Sequence, residues 1–559
     1  MISMVRRARQ GDKHPSRRLV LVLAVTSLAL GGVACGGSDG DAEGGGNVRV
    51  QFLYPNESYD PVRTQIGLLL TKEWQKLGLR VEGQAMDFAA LTDVTASRPD
   101  DFDAFISGYS ARPERLDPDI LLRRPFTCGG IELGSNFHGY CDAEYDAVMR
   151  EQSQAFDTDK RRDAVYEAQE ILQQDLPAVA LYQLKTLSAW NSRKFSSDVP
   201  YVSESSWVNW LFETRPLTDQ RQVRMGQTWD IESTNPVVVT DGGNTDYLRL
   251  IYDTLTRVTN KGETVKWAAE DIQEVDSKTI KVTLRDGMRF HDGRPVTAED
   301  VAFSFDVLGQ AAIYKPFVDP IKSVKAEGER ELTVKLKQPY APLYTTTFSQ
   351  ILILPKHIWA EHVDSPQGFA NDDPVGSGPF RWDYWRKGEE VSLKANPDHF
   401  NAPSVDFLGV VFGNLDSVYQ AMVEQEIDIH QSSLLVNQWD KLPESSFLSR
   451  NETDDWGVYY LGFNVRNAPF YDPAFRRALA HTIPYDTIVK TLFDGHALPG
   501  EGFVPPANKQ WHNPDLTLYP YDPEKARAIL RDAGYTWDGD ALQLPKGRDG
   551  SADNSAGAG

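Results

Sequence analysis

Apolar residues recur at helical spacing in several parts of the chain, and an Asp-Pro dipeptide precedes three of these runs. The first run covers residues 61–77 and ends before Gly78, and the others begin after Asp472 and Asp522. Aspartate caps the free amides of a first helical turn, and proline fits the first helical position. Together with the periodic stretch 159–175, these runs predict four helices.

Strict alternation of apolar and polar residues predicts strands between the helices. Examples are TIKVTL, which begins at residue 279, and VSLKA, which begins at residue 391. Because helical and strand patterns are interspersed, we expect a mixed α/β or α+β fold. There is no short internal repeat, and low complexity is confined to residues 36–47 and 548–559.

The composition is that of a large globular protein with an acidic surface. The chain has 559 residues, of which 41% are hydrophobic, and its formal net charge is −22. A chain of this length can bury more than one lobe of structure. Nucleic acids and anionic membrane surfaces attract positive charge, so neither is expected as a partner.

The N-terminus has the layout of a secretory signal. Basic residues precede an apolar run over residues 19–30, which is too short for a comfortable membrane span. Small residues then lead to Cys35 and a Gly-rich stretch, which resembles a bacterial lipoprotein signal in which Cys35 is lipidated. Gly32 stands where leucine is usual. The alternative is ordinary secretion without a lipid, and either route exports the protein.

Two further cysteines lie close together, in FTCGGIELGSNFHGYC. Outside the cytoplasm a disulfide between Cys128 and Cys141 is the default for such a pair, and it would stabilise the fold by roughly 3 kcal/mol. A reduced, buried pair is the alternative. The only nearby soft metal ligand is His138, so we expect no metal and no cofactor.

Motifs that carry catalysis are missing from the sequence. It contains no Gly-rich phosphate loop, GxSxG elbow or HExxH helix. His291 and Asp292 suggest acid–base chemistry or a metal site, but Gly293 and the turn around them give a structural explanation. The protein is therefore not expected to be an enzyme, although a secreted hydrolase with a carboxylate pair remains as an alternative.

The stretch LRDGMRFHDGRPVTAEDVAFSF, residues 284–305, resembles the signature of the family 5 extracytoplasmic solute-binding proteins, the oligopeptide, dipeptide and nickel receptors of ABC importers. Further segments are similar to this family in the family's order. They are VGSGPFRWDYWRKGEEVSLKANPDHF (375–400), AMVEQEIDI (421–429), YYLGFNVRNAPFYDPAFRRALAHTIPYDTIV (459–489) and YPYDPEKARAILRDAGY (519–535). One departure is Gln425, where the family usually has glycine.

The order of the segments then departs from the family. Material that resembles the family's C-terminal part stands at the front of this chain, and VRMGQTWDIESTNPVV, similar to the family's usual beginning, appears only at residue 223. The chain therefore resembles a circular permutant. The alternatives are the tail of a duplicated receptor and a misjoined gene, but no family segment occurs twice.

The resemblance implies a bilobal periplasmic-binding-protein-like fold with a ligand cleft, and it implies boundaries for the parts of the chain. These are a signal peptide over residues 1–34, a flexible tether over 35–47, the second half of lobe 2 over 48–175, lobe 1 over 176–255, its accessory subdomain over 256–370, lobe 1 again over 371–455, the first half of lobe 2 over 456–547 and a disordered tail over 548–559.

The resemblance also implies a function. We expect a monomeric receptor, anchored to the outer face of the cell membrane by a lipid, that captures a peptide or peptide-like solute and delivers it to an ABC transporter permease. The alternative within binding proteins is an oligosaccharide or another non-peptide solute. A sensing role would require a membrane sensor in place of a permease.

The segment FDAFISGYSARPERLDPD is similar to a ligand loop of the peptide-binding relatives, in which an aspartate after a tryptophan holds the peptide's α-ammonium group. Tyr109 stands at the tryptophan and Arg112 at that aspartate. Since arginine repels an ammonium group and binds carboxylate or phosphate, we expect the usual hold on a free N-terminus to be absent. Alternatively, Asp117 or Asp119 substitutes, or Arg112 faces solvent or pairs with Glu114.

Other parts of the cleft follow from the resemblance, and each of their residues has a core role as its alternative. The expected ligand contacts, which would stack against or shield a solute, are Trp229, Asn235, Tyr384, Trp385, Phe463 and Asn464.

The leucines of ALQL, residues 541–544, predict a short strand that needs a partner. In relatives the segments similar to ALQL and to VRVQFLYP, residues 48–55, are consecutive. We therefore expect these two segments to pair as the halves of a cut hairpin.

Overall fold

The computed structural model describes residues 47–199, 201, 206–240, 242–443 and 447–545. The predicted signal peptide, the lipidation site Cys35, the tether up to residue 46 and the tail over 548–559 lie outside these residues. Within the described ranges, no helix combines the length and the apolar character that a membrane crossing requires.

Helices and single helical turns occur throughout the described chain. They are α1 Pro61–Lys76, α2 Phe88–Ser97, α3 Arg124–Phe126, α4 Cys128–Glu132, α5 Ala143–Gln154, α6 Thr158–Asp175, α7 Trp207–Glu213, α8 Gly242–Ile251, α9 Ala298–Leu308, α10 Lys315–Val318, α11 Leu343–Thr346, α12 Lys356–Trp359, α13 Leu415–Val423, α14 Val436–Trp439, α15 Pro473–Ala480, α16 Tyr485–Thr487 and α17 Pro523–Asp532.

Strands are distributed in the same way. They are β1 Arg49–Pro55, β2 Arg80–Met86, β3 Ala104–Tyr109, β4 Ala178–Asn191, β5 Phe195–Ser196, β6 Arg215–Pro216, β7 Gln222–Gln227, β8 Thr256–Val258, β9 Thr264–Lys266, β10 Ala269–Asp276, β11 Thr279–Leu284, β12 Ile321–Ala326, β13 Glu331–Leu336, β14 Phe380–Arg386, β15 Glu390–Ala395, β16 Asp406–Val411, β17 Ile429–His430, β18 Leu448–Asp454, β19 Val458–Phe463, β20 Ala497–Pro499, β21 Thr536–Asp538 and β22 Ala541–Gln543.

The predicted helix starts are confirmed by their caps. Asp60 accepts a hydrogen bond from the Arg63 amide at 2.8 Å, and Asp472 and Asp522 cap α15 and α17 in the same way. Thr297 and Asp300 form a reciprocal capping box at the start of α9. These contacts are local, so a short stretch of sequence suffices to predict them.

A mixed sheet of twelve described strands forms the centre of the fold, and the predicted mixed α/β class is confirmed. Its main order is β14-β15-β16-β7-β17-β4-β19-β3-β1-β2. A separate antiparallel sheet, β10-β11-β13-β12, lies within the segment predicted as an accessory subdomain.

Buried side chains form separate cores in two parts of the chain, and these two parts are called lobe 1 and lobe 2 below. Lobe 1, residues 185–454, holds one large core and a smaller one around α13. Lobe 2, residues 48–184 and 458–545, holds two cores on the two faces of its strands. Lobe 2 ends later in the chain than the predicted boundary at residue 176. The first part of β4 still contributes Leu181 and Tyr182 to the core of lobe 2, before the strand continues into lobe 1.

The strand predicted at ALQL exists, and it contacts the predicted partner segment only at that segment's start, while its longer pairing is with β21. β22 pairs with β21, and Leu542 lies opposite Trp537. The segment before β1 contributes an isolated antiparallel bridge between Asn47 and Gln543, a hydrogen bond from the Val48 amide to the Leu542 carbonyl at 3.0 Å, and one from the Gln543 side-chain amide to Asn47 Oδ1 at 2.6 Å. The hairpin of β21 and β22 forms the longer pairing, because closing the short loop between these strands costs less entropy than joining distant segments.

Gln425 has a left-handed backbone conformation, with φ of 64°. This explains why glycine suits the position, since a side chain is strained there. Its side chain is exposed, so it contributes little packing. We expect Gln425→Gly to raise the free energy of unfolding by about 0.5–1 kcal/mol, measured by urea denaturation. Lower stability of the variant would show that the Gln425 side chain compensates for its backbone strain.

His138 lies buried among aromatic rings, with Phe126 stacked at 4.9 Å and Phe105 at 5.3 Å between ring centroids. Burial lowers the pKa of His138 to about 3. Below about pH 6.5 the unfolded chain therefore takes up a proton that the folded chain does not. As the pH is lowered, the free energy of unfolding should decrease by about 1.4 kcal/mol per pH unit.

We expect His138→Phe to weaken this loss of stability between about pH 6.5 and 4. Denaturant unfolding at several pH values measures the slope for the variant and for the wild type. Equal slopes would show that His138 is protonated in the folded protein over the same range.

Candidate functional site

The parallel strands of lobe 2 end at the edge that faces lobe 1. Strands β1, β2 and β3 are parallel, β19 runs antiparallel to both β3 and β4, and β4 leads from lobe 2 into lobe 1. The carboxyl ends of β1, β2 and β3 therefore point in the direction in which β4 leaves. The loop 110–118, which follows β3, lies at this edge.

Lobe 1 presents the matching edge. Strands β7, β14, β16 and β17 run opposite to β4, so their carboxyl ends point toward lobe 2. Only β4 and the connection between β18 and β19 carry the described chain from one lobe to the other. Since ligands of open α/β sheets bind outside the carboxyl ends of the strands, the candidate site is the interface between these edges.

The loop after β3 reaches across the interface. Ala111 and Leu116 pack against Val258 of lobe 1 and against Trp456, which lies in the connection between β18 and β19. Glu114 lies 4.0 Å from Arg249 on α8 of lobe 1. The loop that the sequence singled out is thus one of the parts of lobe 2 that contact lobe 1.

Arg112 lies at this contact, half-buried, with its guanidinium against Gly242 at the start of α8. A Cβ atom on Gly242 would lie 0.9 Å from Arg112 Nη1, so any larger residue at position 242 would move the guanidinium from this place. No hydrogen bond or ion pair engages the Arg112 guanidinium within the described ranges. The structure therefore shows neither of the two alternatives for Arg112: Glu114 lies near Arg249 instead, and the Arg112 side chain is half-buried.

Asp117 and Asp119 are directed inward and do not replace the missing aspartate of the loop. Asp117 is 1% exposed and makes two hydrogen bonds to Arg161, of 2.5 and 3.0 Å. Asp119 is bound by Arg123 at 2.7 Å. Burial opposes the charge of Asp119, yet the guanidinium of Arg123 holds its pKa below the usual range. Both carboxylates are neutralised inside lobe 2.

Tyr109 ends β3 beside the same loop. Its ring stacks on Tyr460 at 5.7 Å, and the guanidinium of Arg115 lies 5.6 Å from its centroid. Burial raises the pKa of Tyr109, so the hydroxyl stays protonated at neutral pH. Tyr109 therefore offers a half-buried aromatic surface at the interface edge.

Three predicted aromatic residues lie at the facing edge of lobe 1. Trp229 follows β7 and donates to Gln431 at 3.2 Å, and Trp385 at the end of β14 donates to Asp230 at 2.9 Å. Tyr384, one residue earlier, donates to Glu390. All three aromatic side chains are half-buried, so they retain surface at this edge.

Asn235 is near this edge but is fully engaged. It is 1% exposed, and its amide donates to the carbonyls of Pro366 and Phe369 while its oxygen accepts from the Val237 amide. The arrangement pins the loop after β7 to lobe 1 and leaves Asn235 without a group for a ligand.

Phe463 and Asn464 are not brought to the interface. Phe463 ends β19, and its register partner is Ala104, the first residue of β3. Because β19 is antiparallel to β3, this end lies at the edge of lobe 2 that faces away from lobe 1. Asn464 donates to the backbone carbonyls of Pro99 and Phe102 there. The structure therefore places both residues away from the interface, at the edge where β3 begins.

His291 and Asp292, which suggested acid–base chemistry or a metal site, lie in a structural turn. Nε2 of His291 lies 3.0 Å from the Gly378 carbonyl, and burial lowers the pKa of His291 to about 4. Asp292 lies 2.7 Å from His357. Among the described residues, no group of three or more His, Cys, Asp or Glu side chains is placed to hold a metal ion.

The interface also contains an arginine that the sequence patterns did not indicate. Arg257 lies beside a cavity of about 40 Å³ lined by Pro113 of lobe 2 and by Asp246 and Arg249 of lobe 1. Its guanidinium stacks on Trp267 at 4.1 Å, and burial lowers its pKa to about 10. Two of its nitrogen donors, Nε and Nη1, have no hydrogen-bond partner among the residues that the structure describes.

The disulfide lies beside the interface. Cys128 and Cys141 are bonded, with their Cα atoms 4.5 Å apart. The closed segment packs between α3 and α5 and contributes Gly129, Leu133 and Ser135 to a cavity that both lobes line.

Comparison with known proteins gives relatives over part of the chain. The oligopeptide-binding protein AppA of Bacillus subtilis (strain 168) is 29% identical over 315 residues, which cover 54% of this chain and 57% of AppA. The probable D,D-dipeptide-binding periplasmic protein DdpA of Escherichia coli (strain K12) is 29% identical over 322 residues, which cover 54% of this chain and 61% of DdpA. The chain therefore spans little more than half the length of these relatives.

The solved structure of AppA from Bacillus subtilis in complex with a nonapeptide aligns with 59% of this chain and 68% of that chain, at 24% sequence identity and a TM-score of 0.45. The family model for bacterial extracellular solute-binding proteins, family 5 (middle), matches residues 263–555, which is more than half of the chain. The resemblance of the segments is thereby confirmed, and this protein belongs to the family 5 bacterial extracellular solute-binding proteins.

Proposed function

We propose that the protein is an extracytoplasmic receptor that captures a peptide or peptide-like solute and delivers it to the permease of an ABC transporter. The observation that carries this proposal is the interface between two facing edges of strand ends, which only two segments of the described chain connect. Such a connection permits the lobes to open and close on a solute by hinge motion. The names of the relatives AppA and DdpA support a peptide-like solute.

The unpaired Arg112 supports a particular mode of capture. Its guanidinium is free of protein partners among the described residues and faces the other lobe. A planar guanidinium favours carboxylate or phosphate and repels ammonium. The solute therefore binds without the contact that relatives make to a free peptide amine.

A solute screen tests both statements. Free peptides, N-acetylated peptides, oligosaccharides and metal ions are added to the purified protein, and the thermal unfolding midpoint is measured. A ligand at a hundredfold excess over its Kd stabilises by about 2.7 kcal/mol. We expect acetylated peptides to stabilise at least as well as free ones. Turnover of any peptide or glycoside would contradict a receptor role.

Restoring the aspartate of the family motif sharpens this test. Arg112→Asp is expected to raise the affinity for free-amine peptides relative to acetylated ones by about tenfold, which corresponds to 1.4 kcal/mol. Arg98→Asp, at an exposed position of lobe 2, serves as the charge-matched control. An unchanged preference in the Arg112 variant would remove this residue from the binding site.

A non-peptide solute such as an oligosaccharide is a second candidate. The observation in its favour is the group of half-buried aromatic side chains at the interface edges, Tyr109, Trp229, Tyr384 and Trp385, since aromatic rings commonly line ligand pockets. Stabilisation by oligosaccharides without stabilisation by any peptide would select this candidate.

The same proposal includes anchoring of the protein to the membrane by a lipid on Cys35. Lipidation of Cys35 predicts that the protein partitions into detergent and that Cys35→Ala releases it, whereas an ordinary secreted protein is released in both forms. A monomer is expected by light scattering.

We also propose that the chain is a circular permutant of its family. The proximity of Asn47 to Gln543 supports this, because a cut in one loop of the unpermuted fold creates new chain ends that lie close together. A rearranged chain that begins near Val223 and joins residue 547 to residue 48 is expected to fold and bind alike. Failure of that chain to fold would contradict permutation.

A further inference from the structure

A cavity of about 550 Å³ lies between the lobes, away from Arg112. Lobe 2 supplies one wall from α3, α4 and α5, and lobe 1 supplies the other from Pro316 to Tyr340. Its volume is that of pockets that hold small organic ligands. Because both lobes line it, a ligand there would bridge them.

Positive side chains outnumber acidic ones in the wall of this cavity. Arg124 and Arg150 belong to lobe 2 and Lys337 to lobe 1, and no hydrogen bond or ion pair engages any of these three side chains within the described ranges. Arg123, which also lines the cavity, is instead neutralised by Asp119. Unpaired cations gathered in one cavity are notable in a chain with a net charge of −22.

Two acids share the lining, and neither neutralises these cations through a close contact. Asp146 accepts a hydrogen bond from the Cys128 amide at 3.1 Å, and Asp319 is exposed, as are Arg150 and Lys337, whereas Arg124 is half-buried. The three unpaired cations therefore exceed the two acids.

The walls are held in place by the fold. The disulfide fixes the segment that carries Gly129 and Ser135, and the Ser135 hydroxyl donates to the Arg124 carbonyl at 3.1 Å. Beside the cavity, the Ala341 amide of lobe 1 donates to the Ser153 carbonyl of lobe 2 at 2.7 Å. A site whose walls are fixed before binding loses less entropy when a ligand arrives.

From this arrangement we infer that the cavity binds an oxyanion group of the solute, a carboxylate or a phosphate, between Arg124, Arg150 and Lys337. The inference rests on the proposed receptor function and narrows its solute to an anionic one. Arginine forks bind both oxyanions with two parallel hydrogen bonds, and Lys337 adds a point charge from the other lobe. A bound anion would thus contact both lobes.

The test uses citrate, inorganic phosphate and the neutral sugar glucose as probes on the full-length protein, by calorimetry at constant ionic strength. We expect citrate or phosphate to bind and glucose not to bind. The double variant Arg124→Gln, Arg150→Gln is expected to weaken binding at least tenfold, and Lys337→Gln alone should weaken it too. The relative affinity for citrate and phosphate distinguishes a carboxylate from a phosphate.

The matched control removes two positive charges elsewhere on lobe 2. Arg98→Gln with Lys490→Gln changes side chains that are 52% and 70% exposed, and it should leave anion binding unchanged. Unfolding midpoints without ligand verify that all variants fold. Equal weakening in both double variants, or no binding of either anion by the wild type up to about 10 mM, would overturn the inference.

Failure of this inference is distinguishable from failure of the receptor proposal. A neutral solute that binds the wild type and the Arg124, Arg150 double variant equally, without competition from citrate, leaves the receptor intact and rejects the anion site. Absence of binding for every solute in the screen, anions included, rejects both.

Discussion

Arg161→Ala is expected to lower the free energy of unfolding by about 3–5 kcal/mol, because it leaves Asp117 as an unpaired buried charge. Asp117 is 1% exposed and Arg161 is 6% exposed. The substitution also removes contacts of Arg161 with Gln152 and with the Trp511 ring, which lies 4.8 Å away. Urea or guanidinium denaturation measures the change.

The neighbouring residue provides a matched control. Arg162 pairs with Asp159, whose side chain is 82% exposed, so Arg162→Ala should cost less than about 1 kcal/mol. If the two variants lose similar stability, the buried pair is not the source of the loss. Because Asp117 closes the loop 110–118, Arg161→Ala should also weaken solute binding at temperatures where the variant remains folded.

Removal of the disulfide is expected to lower the free energy of unfolding by about 3 kcal/mol. The bond joins Cys128 to Cys141, which are separated by 13 positions, and its loss frees the unfolded chain from this constraint. The variant Cys128→Ser, Cys141→Ser tests this by denaturant unfolding. Wild-type protein treated with a thiol reductant is the control and should lose the same amount.

Loss of the disulfide has a second expected consequence at the cavity between the lobes. Gly129, Leu133 and Ser135 belong to its wall and lie inside the closed segment. The serine variant should therefore bind citrate more weakly than the wild type, even under conditions where both are folded. Unchanged stability and unchanged binding would show that the segment is held by its other contacts alone.

Local features of the fold were predictable because their causes are local. The helix beginning at Pro61 follows from Asp60, whose side chain reaches an amide three residues later. The turn at His291 follows from the glycine beside it, and the left-handed position at Gln425 matches a site where relatives use glycine. In each case the residues that decide the structure are adjacent in the chain.

The candidate site was predictable only in part. The resemblance placed Tyr109 and Arg112 in a ligand loop, and the structure puts that loop at the interface edge. It also suggested Phe463 and Asn464, which lie at the opposite edge. An alternating pattern indicates that a strand is buried, but it does not indicate toward which end of a sheet the strand runs.

The sequence by itself determined the family, the mixed fold class, the helix caps and the loop after β3. Only the tertiary structure decided that Arg112 meets Gly242, that Asp117 is neutralised by Arg161 and that Arg124, Arg150 and Lys337 share one cavity. The physical reason is range: caps and turns arise from residues a few positions apart, whereas burial and charge pairing depend on which distant segments the packing of two lobes brings together.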